Sequence, residues 1–135
     1  MNGYLKYVVE NCKNALDELC KANKELVVGM SLASNADVNH LGALDRIIKD
    51  YLVNRVAGLF DKDNRTISFN TAFPNNQEVK KIKREEIIKK VMENRNRFVA
   101  QSDHDYIFKD NFAMSTNEIC ESNLKSLLER LEQLL

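Results

Sequence analysis

The sequence contains few of the residues that interrupt or cross-link a chain. Among its 135 residues are one proline, four glycines, three cysteines and no tryptophan. So few Pro and Gly residues, without a low-complexity run, argue against disorder and against a β-sandwich with many turns. Cys12, Cys20 and Cys120 are odd in number and lack the Cys-x-x-Cys spacing of a metal site. We therefore interpret them as small core residues of a reducing compartment.

Long apolar segments and a net charge are also missing. No apolar run approaches the roughly 18 residues of a membrane span, and the first residues lack the basic and apolar segments of a signal peptide. The sequence thus predicts a cytoplasmic protein without a membrane partner. Twenty basic and twenty acidic residues cancel, but residues 80–97 contain eight basic side chains against three acidic ones. That surplus suits a phosphate backbone, although it is also typical of a solvated helix face.

Apolar residues recur at helical spacing along most of the chain. Helices are predicted over about Gly3–Val28, Asp37–Phe60 and Asn76–Ala100, with a last helix opened by the capping box Ser115–Glu118. Thr66–Phe69 has no second alternating run with which to pair, so we expect an extended or single-turn connector there. The pattern predicts one all-α domain over 1–135, a bundle of four to five helices without a significant sheet.

Arg95 is the most informative basic residue of the third predicted helix. On a 3.6-residue helix it lies on the line of an apolar stripe formed by Ile88, Val91, Met92, Phe98 and Val99. A guanidinium placed there must be paired, extend to the rim or open into a polar cleft. A network of Arg95 with Arg55 and with Asp45 or Asp61 is the expected form of pairing.

These residues also carry a resemblance to a known family. The segment Arg95–Asp103 resembles the Arg-Asn-basic-apolar-apolar-Ala-His-Ser-Asp segment of HEPN domains, particularly the AbiU-like domains of phage abortive infection. Upstream, Arg55–Asp61 and Thr66–Phe69 resemble the Arg, apolar, Phe-Asp and Thr-Ile-Ser segments of the same family. Gln101 stands where active members have His.

The resemblance implies a HEPN-like RNA-associated protein of phage-defence or toxin–antitoxin type. In the family, Arg-Asn and His face a symmetry mate across a homodimer cleft and cleave RNA without metal. Arg95 and Asn96 occupy these catalytic positions, but Gln101 cannot accept the proton of a 2′-hydroxyl. Any endoribonuclease activity is therefore expected to be impaired or lost. Further binding residues are predicted to be Arg55, Lys90, Arg97, Gln101 and Asp103.

A second assignment of the site residues remains open. Arg97, His104 and Tyr106 match a looser Arg, six residues, His-x-Tyr pattern. It resembles HEPN toxins whose Tyr is modified by a partner nucleotidyltransferase, and it implies modification of Tyr106. If the helix ends near Gln101 and the chain folds back, His104 replaces the missing family His as the catalytic base.

Other catalytic patterns are absent from the sequence. There is no Gly-rich phosphate loop, no His-Glu-x-x-His and no Cys-His cluster, so no metal and no cofactor is predicted. His40 lies off the stripe of the second helix and is interpreted as a surface residue. Beside an RNA-associated homodimer, with an antitoxin or nucleotidyltransferase as a further partner, two alternatives remain. One is a catalytically inactive HEPN-derived binding or regulatory module, and the other is an unrelated helical interaction protein.

Overall fold

The computed structural model describes residues 2–29, 35–96 and 119–135, with the side chains of 25–29, 35–39 and 41 left out of the description. These ranges form six helices and contain no strand, which confirms the all-α prediction. The helices are α1 (Asn2–Gly29), α2 (Asn35–Leu59), α3 (Phe69–Ala72), α4 (Gln77–Lys83), α5 (Glu86–Asn94) and α6 (Glu121–Gln133). No helix within them is both long and apolar enough to cross a membrane.

The centre of the bundle is the long α1, which packs against α2 and α6, while α5 packs against α2. The buried face of α1 repeats at steps of three and four residues, the spacing of one side of a helix. Its members are Leu5, Val8, Val9, Cys12, Leu16 and Leu19. The spacing predicted both this face and the bounds of α1 to within one residue. Buried residues from all six helices join one core cluster, in which each amphipathic helix hides its apolar side.

The connector between α2 and α4 is a single helical turn, as predicted. Ser68 precedes it in extended conformation, and its Oγ accepts a hydrogen bond from the Thr71 amide while Thr71 Oγ1 accepts one from the Ser68 amide. This reciprocal capping box satisfies two amides that the helix itself leaves free. Phe69 then stacks between Phe60 and Phe73, with ring centroids 5.9 and 6.0 Å away. The turn is thereby fixed to the end of α2.

The prediction of one continuous third helix from Asn76 to Ala100 is wrong. Asn76 does cap α4, its Oδ1 accepting from the amides of Glu78 and Val79. However, α4 ends at Lys83 and α5 starts at Glu86 after an extended residue. In one unbroken helix, Val79 and Ile88 would point about 180° apart, yet both are buried. The break lets each short helix turn its own apolar face to the core.

The start of the last helix also differs from the prediction. The capping box Ser115–Glu118 lies outside the described residues, and α6 itself begins at Glu121 with Cys120 as its N-cap. Ile119 is buried and Cys120 is extended, so the helix begins three residues after Glu118. As the helical spacing of apolar residues predicts, one side of α6 is buried. Its buried residues are Leu124, Leu127, Leu128 and Leu131.

The three cysteines are free but differ in surroundings. Cys12 belongs to the core, and burial raises the pKa of its thiol to about 11, which makes it a poor nucleophile near neutral pH. Cys20 is partly buried and donates to Glu121 at 3.2 Å. Cys120 lies half-exposed beside the Ser122 hydroxyl. Their interpretation as core residues is thus correct for Cys12 and wrong for Cys120, which occupies the N-cap position of α6 without a capping hydrogen bond from its side chain.

Candidate functional site

The end of α5 contains a buried polar side chain. Asn94 has no solvent exposure and follows Ile88 and Val91 on the buried face in steps of three residues. Its Nδ2 donates to the Lys90 carbonyl at 2.9 Å, but its buried Oδ1 has no hydrogen-bond partner among the described residues. An unsatisfied buried acceptor costs on the order of 1–3 kcal/mol. Asn94 therefore requires an explanation other than stability.

The next two residues, Arg95 and Asn96, follow α5 in π-helical conformation. This conformation is rare in proteins and often occurs at functional sites. Arg95 is half-exposed and Asn96 is exposed. Arg95 Nε donates to Asn96 Oδ1 at 3.1 Å, so the neighbouring amide orients the guanidinium at the end of α5.

Asn94, and not Arg95, is the polar residue that the apolar face buries, and the half-exposed Arg95 agrees with the expected rim or cleft position. The buried face continues from Val91 to Asn94. The predicted network around Arg95 is not present among the described residues. Asp45 pairs with Lys49 at 2.9 Å, and the Arg55 guanidinium lies 5.6 Å from the centre of the Tyr51 ring.

The other predicted site residues are spread over different parts of the chain. Lys90 lies one turn before Asn94, with its ammonium 3.8 Å from Glu93. Arg55 is exposed on α2, beside a separate cavity. His40 is exposed, as expected. Five predicted site residues lie outside the described residues: Arg97, Gln101, Asp103, His104 and Tyr106.

Within the described ranges, no group of three or more His, Cys, Asp or Glu side chains is arranged to hold a metal ion. The acidic turn Asp61–Arg65 instead uses its carboxylates internally. Asp61 Oδ1 accepts the amide of Asp63 at 3.0 Å, and Asp63 binds both the amide and the guanidinium of Arg65.

A second feature near α5 is an exposed group of cations on α4 and the break that follows it, here called the α4 basic surface. It consists of Lys80, Lys81, Lys83 and Arg84. The carboxylates nearest in sequence, Glu78 and Glu85, are both engaged by Arg130 of α6, each at 2.9 Å. The hydrogen bond from Arg130 lowers the pKa of Glu78, and Lys81 lowers it further.

Arg130, Glu78 and Glu85, here called the Arg130 cluster, leave the lysines of α4 without close acidic partners among the described residues. Because one arginine on α6 binds two acids of the α4–α5 region, those acids do not form close ion pairs with the lysines beside them. Ion pairs within α5 are local, such as Lys89 with Glu86 at 3.3 Å. The α4 basic surface therefore keeps its positive charge exposed to solvent, in a form that polyanions can reach.

Comparison of the chain with protein-family models, curated proteins and solved structures finds no match. The class of protein is therefore defined by the fold alone, as an all-α helical bundle. Its most unusual local feature in the described ranges is the combination of the buried, unsatisfied Asn94 and the π-helical conformation of Arg95 and Asn96.

Proposed function

We propose that this protein is an RNA-associated, HEPN-like protein of phage-defence or toxin–antitoxin type, with cleavage weakened by Gln101. The observation that carries the proposal is the end of α5. There, the buried Asn94, whose Oδ1 has no partner in the described ranges, directly precedes Arg95 and Asn96 in π-helical conformation. Local features that cost stability concentrate where function requires them. The pair Arg95–Asn96 is also the Arg-Asn pair of the family resemblance.

The chemistry of this segment suits a phosphodiester. A guanidinium forms charge-assisted hydrogen bonds with phosphate oxygens, and the Arg95 side chain is half-exposed and oriented by Asn96. The α4 basic surface supplies further positive charge two short helices away. Such contacts to the backbone give affinity without sequence preference and fall steeply with salt.

Cleavage requires more than phosphate binding. A 2′-hydroxyl must lose a proton, and general acid–base participation is typically worth a factor of about 10² to 10⁴ in rate. Gln101 has no titratable group, so the proposal assigns the protein a binding role with little or no cleavage. His104 is the residue that would restore the base, and its contribution is tested separately in the Discussion.

RNA binding at the end of α5 is tested with a labelled single-stranded RNA in a fluorescence-anisotropy titration. We expect Arg95→Ala to weaken binding by about tenfold, the loss of one good phosphate contact. The matched control is Arg65→Ala, which removes the same charge from a side chain that is 89% exposed in the acidic turn. Equal weakening by both variants would mean that binding depends on net charge alone, and would contradict an RNA-binding site at the end of α5.

The contribution of the α4 basic surface is measured by salt dependence. Replacing Lys80 and Lys83 with Gln removes two exposed cations and should make the slope of log affinity against log salt shallower by about 1.4, since each single-strand contact contributes about 0.7. An unchanged slope would exclude this surface from the RNA interface.

The proposal includes a two-fold homodimer, because the family pair acts across a cleft between symmetry mates. Light scattering on the purified full chain at micromolar concentrations should give twice the monomer mass of 15.6 kDa. A mass of one chain would remove the composite cleft from the proposal. An antitoxin or nucleotidyltransferase partner is proposed on the same resemblance, and co-expression with genes adjacent to its own, followed by affinity purification, tests it.

A further inference from the structure

A cavity of about 380 Å³ lies between the start of α1, the second half of α2 and the connector that follows α2. Its apolar lining includes the buried side chains of Val8 and Leu59. Tyr4 and Ile67 also line it, and they are 46% and 41% exposed. The cavity therefore has a partly apolar lining and large side chains in contact with solvent, which a ligand would cover.

Two opposite charges line the same cavity. The Arg55 guanidinium is exposed and lies over the Tyr51 ring, and Asp61 has one carboxylate oxygen, Oδ1, bonded to the Asp63 amide. Among the described residues, no ion pair joins Arg55 to Asp61 or to any other acid. One cation and one anion thus line the same cavity, beside the polar Asn54 and Thr66, without forming an ion pair with each other.

We propose that this cavity binds a small zwitterion, an α-amino acid with an apolar side chain. Its carboxylate pairs with Arg55, its ammonium pairs with Asp61, and its side chain packs on Val8 and Leu59. The cavity volume lies at the small end of the range for ligand sites, which favours a ligand of this size. This inference does not depend on RNA binding at the end of α5.

Gly58 provides the sharpest structural test of the site. It lines the cavity from within α2, and a Cβ placed there meets no atom within 4 Å. Gly58→Leu therefore fills the cavity while raising the helix propensity of α2. Gly42→Leu is the matched control in the same helix, because its Cβ meets only the flexible end of Arg46, at 3.6 Å. Circular dichroism should show both variants folded and at least as stable as wild type.

The probe is L-leucine, followed by chemical-shift titration in ¹H–¹⁵N NMR spectra of the full chain. Two fragments separate the charges: 4-methylpentanoate lacks the ammonium, and 3-methylbutylamine lacks the carboxylate. We expect leucine to bind at least about tenfold more tightly than either fragment, since each removes one charge-assisted contact. We expect Gly58→Leu to abolish leucine binding and Gly42→Leu to leave it unchanged.

Two charge variants assign the ends of the ligand. Arg55→Gln should weaken leucine and 4-methylpentanoate but leave 3-methylbutylamine unchanged. Asp61→Asn keeps the Oδ1 acceptor for the Asp63 amide and should weaken leucine and the amine but leave the carboxylate fragment unchanged. The proposal is overturned if leucine causes no shifts, if a single-charge fragment binds as tightly as leucine, or if Gly58→Leu binds leucine normally.

Discussion

Arg130 donates a 2.9 Å hydrogen bond to Glu85, which joins α6 to the break between α4 and α5. The other arm of the same guanidinium bonds Glu78 of α4. The two short helices are therefore held to the last helix by one side chain, across more than forty residues of sequence. This contact fixes the orientation of α4 and hence the direction in which its basic surface faces.

The Arg130 cluster predicts a pH dependence of stability. Arg130 lowers the pKa of Glu78 from its ordinary value of 4.5, so Glu78 binds its proton more tightly in the unfolded chain than in the folded one. The stabilisation is present above about pH 4.5 and is lost as the pH falls through the lower folded pKa. Arg130→Gln should lower the thermal midpoint at neutral pH and reduce the loss of stability on acidification.

The control for this prediction is Lys13→Gln. The Lys13 ion pair with Glu132 is short, at 2.6 Å, but both side chains are more than a third exposed. An isolated exposed pair contributes little to stability, so this variant should melt close to wild type, whereas Arg130→Gln loses bonds to two acids at once. Equal midpoints for Arg130→Gln and wild type at neutral pH would show that the cluster does not hold α4 and α5.

Replacing Asn94 by an apolar residue is expected to increase stability. Asn94→Leu replaces a buried amide whose Oδ1 has no partner among the described residues by an apolar side chain of similar size. The free energy of unfolding in urea should rise by about 1 kcal/mol, because the desolvation cost exceeds the lost bond to the Lys90 carbonyl. If Asn94 is kept because RNA binding requires it, the Asn94→Leu variant should bind RNA less tightly.

The exposed Asn96 provides the comparison for Asn94. Asn96→Leu adds an apolar side chain at an exposed position and should not increase stability. A loss of more than about 1 kcal/mol in Asn94→Leu would instead mean that the Asn94 amide is required by the fold, and it would remove the argument that the residue is kept for function.

Arg95 should be nearly neutral for folding. It is half-exposed and bonds the neighbouring Asn96, so Arg95→Ala strands no carboxylate among the described residues and should change the free energy of unfolding by less than about 0.5 kcal/mol. A buried ion-pair network would cost on the order of 3 kcal/mol. Urea melts of Arg95→Ala and Arg97→Ala distinguish these cases. A large loss in the free energy of unfolding for Arg95→Ala would mean that Arg95 belongs to a buried ion-pair network after all.

The parts of the fold that the sequence predicted are those where one helix has one apolar face. The stripe of α1 continues without interruption from Leu5 to Leu19, and its spacing alone defines the helix. The break after α4 was missed because the apolar stripe from Ile88 onward is continuous in itself and gives no sign of where the preceding helix ends. In a continuous helix, Val79 and Ile82 would lie on the side opposite the stripe that starts at Ile88. Two apolar faces on opposite sides were the signal in the sequence that the helix breaks between them.

The candidate site was predicted less completely than the fold. The segment containing Arg95 and Asn96 was identified, but Asn94 was not, although it follows Ile88 and Val91 in steps of three. A π-helical conformation has no signature in spacing. The Arg130 cluster joins residues that lie far apart in sequence, so only the packing of α6 reveals it.

The central claim is that the protein binds RNA through the end of α5 but cleaves it poorly, because Gln101 supplies no base. The most direct measurement scores RNA retention and RNA cleavage separately for wild type, Gln101→His and His104→Ala. We predict retention by all three proteins, and cleavage by wild type at least about a hundredfold slower than by Gln101→His. Efficient cleavage by wild type that His104→Ala abolishes would contradict the account, because His104 would then be the base of an intact site.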